Sequence, residues 1–197
     1  QHRLRRPMVT FPGDAERCTL YAGFARLLQE QDTVISFNYD LLLEQGFCFI
    51  GLQPDYRIPE AQVFPIGRRW QSDWPKRTLL KPHGSANWMV CENSDCQHIH
   101  LHTDVFNNTS GHVFDKHCHT CNKDAELRFV MVPPVHREQN KSATAEETVL
   151  RLVLEAAIER IRMAARVFVV GYSCPPSDDK AGSAFVELLS CGLKANQ

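Results

Sequence analysis

The sequence predicts an α/β fold: a parallel sheet buried on both faces, with a four-cysteine zinc ribbon inserted in its middle. Strand-like runs alternate with helix-like runs along the chain, which is the order that parallel βαβ units need. Two strand-like runs, 127–132 and 166–170, are almost entirely apolar, as expected when both faces of a sheet are covered. Residues 88–126 are polar, rich in histidine and paired in cysteine, which indicates an inserted module.

The first part of the chain contains two predicted helices and one predicted strand. Residues 15–31 predict a helix, because apolar residues recur at helical spacing. These residues are Leu20, Phe24, Leu27 and Leu28. The β-branched run 33–37 predicts a strand, and a second helix is predicted to begin near Leu41. Residues 51–76 contain four prolines and two glycines, so we expect a loop with short local structure.

The second part of the chain repeats the alternation. Residues 78–81 predict a second strand, and residues 127–132, stopped by two prolines, predict a third. Residues 144–165 have apolar side chains at helical spacing and predict a long helix. The run 166–170 predicts a fourth strand, and residues 181–189 predict a final helix.

Charge and hydropathy exclude several classes of partner. The 197 residues include 22 Lys and Arg against 23 Asp and Glu, a formal net charge of −1. Such a balance gives no electrostatic basis for binding nucleic acid. No apolar run of about 18 residues occurs, so no transmembrane helix is predicted, and we expect no membrane partner. No apolar stretch follows the basic start, so we predict no secretory signal and expect a cytoplasmic protein.

Four of the eight cysteines form two close pairs. Cys91 and Cys96 are separated by four residues, and Cys118 and Cys121 by two. Two such pairs supply the four soft ligands of a tetrahedral zinc, and four thiolates leave no open position, so the predicted zinc is structural. Two alternatives stay open: four free buried thiols, or a mixed set of cysteine and nearby histidine ligands. The histidines concerned are His98, His117 and His119.

Three polar tripeptides follow predicted strands. They are Asn38-Tyr39-Asp40, His83-Gly84-Ser85 and Gly171-Tyr172-Ser173. In open parallel sheets ligands bind beyond the carboxyl ends of the strands. The three segments are therefore expected to meet at one site in an α/β domain formed by residues 1–87 and 127–197, with the zinc ribbon assigned to 88–126.

Four features in this order resemble the sirtuin family, most of all its bacterial sirtuin-like members. Segment 36–40, Ser-Phe-Asn-Tyr-Asp, resembles the sirtuin Thr-Gln-Asn-Ile-Asp segment. Segment 80–85, Leu-Lys-Pro-His-Gly-Ser, is similar to the strand end that carries the catalytic histidine. The cysteine pairs stand where sirtuins have their zinc ribbon, and segment 171–178, Gly-Tyr-Ser-Cys-Pro-Pro-Ser-Asp, resembles the turn near the NAD phosphates. The resemblance implies a Rossmann-like parallel sheet of the sirtuin/DHS type.

The resemblance also implies NAD as substrate and a role for each matching residue. His83 would be the general base that takes a proton from a ribose hydroxyl or from water. Asn38 would orient the nicotinamide ribose and an attacking water, and Asp40 would accept a hydrogen bond from the nicotinamide carboxamide. The other residues that it places around the cofactor are Ser85, Gly171, Ser173 and Asp178.

These residues also have simpler structural explanations. His83 can sit in an ordinary turn after a strand, and Asn38 and Asp40 can form an Asx turn or cap the next helix. Gly171 can end a strand, and Asp178 can cap the last helix.

Departures from the family pattern bear on the expected chemistry. No Gly-Ala-Gly-x-Ser loop precedes Asn38, and the chain ends soon after residue 189, so the NAD-binding domain is expected to be incomplete at both ends. Segment 129–134 lacks the Phe-Gly-Glu-x-Leu-Pro pattern that deacylases use for peptide substrates, and Phe37 stands where glutamine is usual. Water is therefore the preferred acceptor, which predicts NAD hydrolysis.

Several alternatives to NAD hydrolysis remain. They are NAD-dependent protein deacylation or ADP-ribosyl transfer, a non-catalytic module that binds NAD or ADP-ribose, and a zinc-ribbon interaction protein. The resemblance also implies a context, because bacterial sirtuin-like proteins often serve as NAD-consuming effectors in phage defence, fused to sensor domains. The expected partners are a fused sensor domain, which this context implies, or a second copy of the chain.

Overall fold

The computed structural model describes residues 15–66, 73–93, 95–96, 98–103, 118, 120–121, 127–131 and 145–171. Its elements in chain order are α1 (Ala15–Leu27), β1 (Thr33–Ile35), α2 (Leu42–Phe49), β2 (Gln53–Asp55), a 3-10 turn (Glu60–Gln62), β3 (Val63–Ile66), β4 (Lys76–Leu80), β5 (Gly84–Cys91), β6 (Ile99–His102), β7 (Leu127–Met131) and α3 (Ala145–Met163). Helices and strands are mixed along the chain, so the predicted α/β class is confirmed.

A three-stranded parallel sheet has the order β1-β4-β2. Leu79 and Leu80 of β4 are both fully buried. Since successive side chains of a strand point to opposite faces, both faces of this sheet are covered at β4. The parallel sheet is as predicted, whereas the Rossmann arrangement needs further strands and stays a prediction.

A second sheet of four strands has the order β3-β6-β5-β7. β3 runs parallel to β6, while β5 is antiparallel to both β6 and β7. The predicted strand at 127–132 forms as β7, but it belongs to this sheet rather than to the parallel one. β5 runs without interruption from Gly84 to Cys91, so residue 88, the predicted start of the inserted module, lies inside a strand.

One hydrophobic core joins the two sheets and the long helix. Its fully or nearly fully buried members come from every layer: Phe47, Leu79, Leu80, Trp88, Val90, Ile99, Val130, Val149, Val153 and Ala157. The rings of Trp88 and Tyr56 pack edge to face with centroids 4.9 Å apart, a favourable aromatic geometry. The second sheet is therefore tied to the parallel sheet by direct packing.

The predicted first helix forms but ends at Leu27, and its apolar residues Leu20, Phe24 and Leu27 are not its buried face, whereas Leu28, just beyond its end, packs against the core. Leu20 and Leu27 are 73% and 74% exposed, whereas Ala22 and Ala25 are buried. The reason is the close approach of α1 to α2: a Cβ added to Gly46 would lie 2.7 Å from the backbone carbon of Tyr21. Only small side chains fit between helices at such a distance.

Two regions differ from the sequence prediction. The expected loop 51–76 contains the short strands β2 and β3, each of which includes a proline. The predicted strand 166–170 is wrong: these residues form no strand within the described structure, and Phe168 and Val170 are 83% and 87% exposed. An apolar run becomes a strand only where a neighbouring strand supplies its hydrogen bonds.

Two further points concern helices. The predicted final helix, 181–189, lies outside the described residues. Among the helices that are described, none combines enough length with enough apolar character to cross a bilayer.

Candidate functional site

The four paired cysteines form one compact cluster. Cys91 ends β5, and a turn in which the Cys96 N–H donates to the Asn93 carbonyl (2.9 Å) returns the chain to it. The Sγ atoms of Cys91 and Cys121 lie 3.7 Å apart, as do those of Cys96 and Cys118, and all four are within 4.8 Å of one another. Tetrahedral zinc thiolates place sulfurs roughly 3.8 Å apart. This group can hold a metal ion such as zinc.

Hydrogen-bond donors surround the cluster. The Thr120 hydroxyl lies 3.2 Å from Cys96 Sγ and 3.1 Å from Cys118 Sγ. His100 Nε2 is 3.3 Å from Cys118 Sγ, and the Asn93 N–H donates to Cys91 Sγ at 3.4 Å. Such outer contacts orient the ligands of metal sites and stabilise thiolate charge.

The thiols of the cluster differ in acidity. Burial, opposed by the hydrogen bond from Asn93, raises the pKa of Cys91 to about 12. Burial alone would also raise the pKa of Cys118, but hydrogen bonds from the Thr120 hydroxyl and from the N–H groups of Cys121 and Thr120 outweigh it and lower that pKa to about 5. The surroundings therefore favour a thiolate at Cys118 over one at Cys91, and a divalent cation would supply the positive charge that a thiolate at Cys91 needs.

A second cluster forms where β1 and β4 end. The two strands are parallel with Ile35 opposite Leu80, so segment 36–40 and the turn after β4 leave the sheet side by side. The turn is closed by the Gly84 N–H donating to the Lys81 carbonyl at 2.9 Å. Gly84 has a φ of +90°, a conformation that favours glycine.

The His83 ring packs against the segment that carries Asn38. Its centroid lies 5.1 Å from that of Phe37 and 6.2 Å from that of Tyr39. The Ala86 N–H donates to the Tyr39 carbonyl at 2.9 Å, which ties the start of β5 to the same segment. The predicted meeting of these two chain segments is therefore present.

The two residues of segment 36–40 that the resemblance places at the cofactor, Asn38 and Asp40, are both exposed. Asn38 is exposed, and its N–H donates to Ser36 Oγ at 3.3 Å. Asp40 is exposed and its Oδ1 accepts a hydrogen bond from the Leu42 N–H at 3.1 Å. Asp40 thus makes the Asx turn that the sequence offered as its structural explanation. Its predicted cofactor contact stays a prediction.

A buried polar network lies beneath this segment; the sequence reasoning named only its member Ser85, as a cofactor contact, and that role stays a prediction. Lys81 Nζ and Glu44 Oε1 form an ion pair at 3.0 Å, with the two side chains 1% and 0% exposed. Ser85 is fully buried, and its Oγ lies 3.0 Å from Lys81 Nζ. The Tyr56 hydroxyl donates to Glu44 Oε1 at 3.0 Å. The available signal was Glu44 directly after three leucines and Lys81 directly after two, since charged residues are buried only when paired.

The third predicted segment is described only in part. Gly171 is exposed and has a φ of +68°, which favours glycine. Ser173 and Asp178 lie outside the described residues. The approach of this segment to His83 stays a prediction.

Comparison with known proteins identifies no relative. No protein-family model, curated protein or solved structure matches this chain. The sirtuin-like resemblance therefore rests on the motifs alone.

Proposed function

We propose that this chain is an NAD-consuming, sirtuin-like domain that hydrolyses the bond between nicotinamide and ribose. The observation that supports the proposal is the packing of His83 against segment 36–40 at the carboxyl edge of a parallel sheet. That edge is where such sheets bind ligands. Two motifs that are far apart in sequence, and that resemble two parts of one family's site, share this edge.

The proposed reaction assigns each residue a step. A water molecule attacks the ribose carbon that carries nicotinamide, the carbon–nitrogen bond breaks, and nicotinamide leaves with the bonding electron pair. His83 takes the proton that the water loses, while Asn38 orients the water and Asp40 holds the carboxamide. The transition state has oxocarbenium character, so fixed polar groups at this edge lower its free energy.

Zinc has a structural role in this proposal. Four thiolates fill a tetrahedral shell, which leaves no position for a substrate. The described cysteines Cys48, Cys91, Cys96, Cys118 and Cys121 form no disulfides. Reduced thiols are typical of the cytoplasm, which we propose as the location of the protein.

Replacement of His83 tests the proposed chemistry. The full-length protein is incubated with NAD, and released nicotinamide is measured by chromatography. Loss of a general base lowers a rate by about 10²–10⁴-fold, so we expect His83→Ala to lower kcat by that factor. Equal release by the parent and by His83→Ala would overturn the assignment, and no release by the parent would overturn the proposed function.

A matched pair of substitutions distinguishes an effect at the proposed site from a general effect on the protein. Asn38 and Gln31 are exposed amides on opposite sides of β1, at its carboxyl and amino ends. We expect Asn38→Ala to slow nicotinamide release and Gln31→Ala to leave it unchanged. Release that requires an acetyl-lysine peptide would instead indicate a deacylase, and NAD binding without release would indicate a binding module.

A further inference from the structure

The Lys81 ammonium connects three separate parts of the fold. Lys81 follows β4 directly, and its Nζ hydrogen-bonds to the Asp40 carbonyl, to Glu44 Oε1 of α2 (3.0 Å) and to Ser85 Oγ of β5 (3.0 Å). An ammonium group has three N–H donors, and here three acceptors meet it. Its hydrogen-bonding capacity is therefore filled without solvent.

Two residues, one on each side of the His83 turn, donate hydrogen bonds to neighbouring carbonyls of segment 36–40. Lys81, before the turn, donates to the Asp40 carbonyl, and Ala86, after it, donates its N–H to the Tyr39 carbonyl at 2.9 Å. The segment that carries the Asn38 and Asp40 side chains is thus fixed from both ends of the turn that carries His83. The relative position of the two predicted catalytic motifs depends on these two contacts.

A buried ion pair contributes little net free energy to folding, so stability alone does not explain this one. Removing Lys81 and Glu44 from water is costly, and well-packed apolar residues often replace such pairs without loss of stability. All the contacts of Glu44 go to Oε1, and its Oε2 is buried without a hydrogen-bond partner in the described structure. The Lys81–Glu44 pair therefore fixes the position of the Asp40 carbonyl, which apolar side chains cannot do because only a hydrogen-bond donor can hold a carbonyl.

We propose that Lys81 is a positioning residue that, paired with buried Glu44, holds segment 36–40 against the His83 turn. Its consequence for catalysis rests on the proposed NAD hydrolysis, whereas its consequence for the segment does not. Glu44 acts by pairing with the ammonium at 3.0 Å and fixing its direction, and Ser85 completes its hydrogen bonds.

The test replaces the pair so that neither charge is left buried alone. In Lys81→Met/Glu44→Gln the ammonium is lost, and residue 44 can still accept the Tyr56 hydroxyl hydrogen bond. The control is Tyr56→Phe, which removes another partner of Glu44 but no described contact with segment 36–40. Amide hydrogen exchange is measured by NMR at Ala86, with the amides of β5 that pair with β7 as an internal reference.

We expect Ala86 to exchange at least about tenfold faster in the double variant, because local opening of the segment becomes easier, and to stay unchanged in the control. The His83 ring resonances should shift as Phe37 and Tyr39 move. Unchanged Ala86 exchange in a folded double variant would overturn the proposal. If that variant does not fold, Lys81→Met/Glu44→Met replaces the ion pair by apolar side chains, leaves no donor for the Asp40 carbonyl and is judged by the same measurement.

A kinetic measurement keeps the two proposals separate. If the parent releases nicotinamide, the double variant should lose at least about tenfold in kcat while its thermal midpoint stays near that of Tyr56→Phe. Full activity in a variant with fast Ala86 exchange would refute the catalytic consequence. No release by the parent would defeat the proposed function, while the exchange measurement would still decide the role of Lys81.

Discussion

Buried polar side chains determine local geometry at the scale of single residues. Tyr56 lies at the centre of one such group: its hydroxyl donates to Glu44 and accepts from Asn87 Nδ2 at 3.4 Å. The same Asn87 nitrogen donates to the His102 carbonyl at 3.2 Å. Tyr56 directly follows β2 of the parallel sheet, and Asn87 and His102 belong to the second sheet. The hydrogen-bond network therefore connects the two sheets as well as α2.

The phenol of Tyr56 predicts a loss of stability in alkali. Burial, and next the Glu44 charge, raise the pKa of Tyr56 well above its ordinary value of about 10. A raised folded-state pKa contributes stability that is present below pH 10 and is lost as the pH rises beyond it. We expect Tyr56→Phe to lower the unfolding free energy by about 1–3 kcal/mol at pH 7 and to flatten its decline above pH 10.

Urea titrations of the parent and of Tyr56→Phe between pH 7 and 11 measure this difference. Parallel curves over the whole range would show that Tyr56 is not the group responsible.

At the scale of elements, the main feature is the close packing of the helices α1 and α2. α1 and α2 approach closely where Gly46 faces the Tyr21 backbone, and α1 buries Ala22 and Ala25 while Leu20 and Leu27 stay exposed. Small residues at a helix contact permit a short distance between the backbones, and the helix then turns its bulkier side chains away. The position of α2 matters for the site because α2 carries Glu44.

Two glycines give opposite predictions for the same substitution. Gly46→Ala places a methyl group 2.7 Å from the Tyr21 backbone, so we expect a loss of about 1–3 kcal/mol from overpacking. Gly23 lies inside α1 with no atom within 4 Å of an added Cβ, so Gly23→Ala should gain about 0.5–1 kcal/mol of helix propensity. Denaturant unfolding of both variants tests the pair, and equal effects would contradict the close helix approach.

The two sheets form one body at the scale of the whole molecule. β5 contributes Trp88 and Val90 to the common core, and its last residue is Cys91 of the four-cysteine cluster. Cys91 is paired with Leu127 of β7, so a metal at the cluster would fix the far end of this strand pair. The near end of β5 adjoins the His83 turn.

Removal of one cysteine tests the metal and its structural role. We expect about one zinc per chain in the parent and loss of that zinc in Cys91→Ser, with faster amide exchange first in β6 and β7. Cys48→Ser, at a buried cysteine of α2 outside the cluster, should keep its zinc. Metal analysis and hydrogen exchange give the result, and a full zinc content in Cys91→Ser would argue for a different ligand set.

Local patterns allowed several features to be predicted from the sequence. Helical spacing predicted α1 and α3, a β-branched run predicted β1, and the short run 78–81 predicted β4, because these signals lie within one element. The spacing of the cysteine pairs predicted a cluster that the fold brings within metal-binding distance. The order of strands and polar tripeptides also predicted that His83 and segment 36–40 would meet.

Other features were decided only by the tertiary structure. The run 166–170 is as apolar as a strand, yet a strand needs hydrogen bonds from a partner that its own residues do not specify. The exposure of Leu20 and Leu27 follows from the close approach of α2. The Lys81–Glu44 pair joins residues 37 positions apart, and no local pattern encodes such a contact. Sequence determined the three helices, the strands β1, β4 and β7 and the spacing of the cysteines, whereas long-range packing decided which other segments form strands and which side chains are buried and paired.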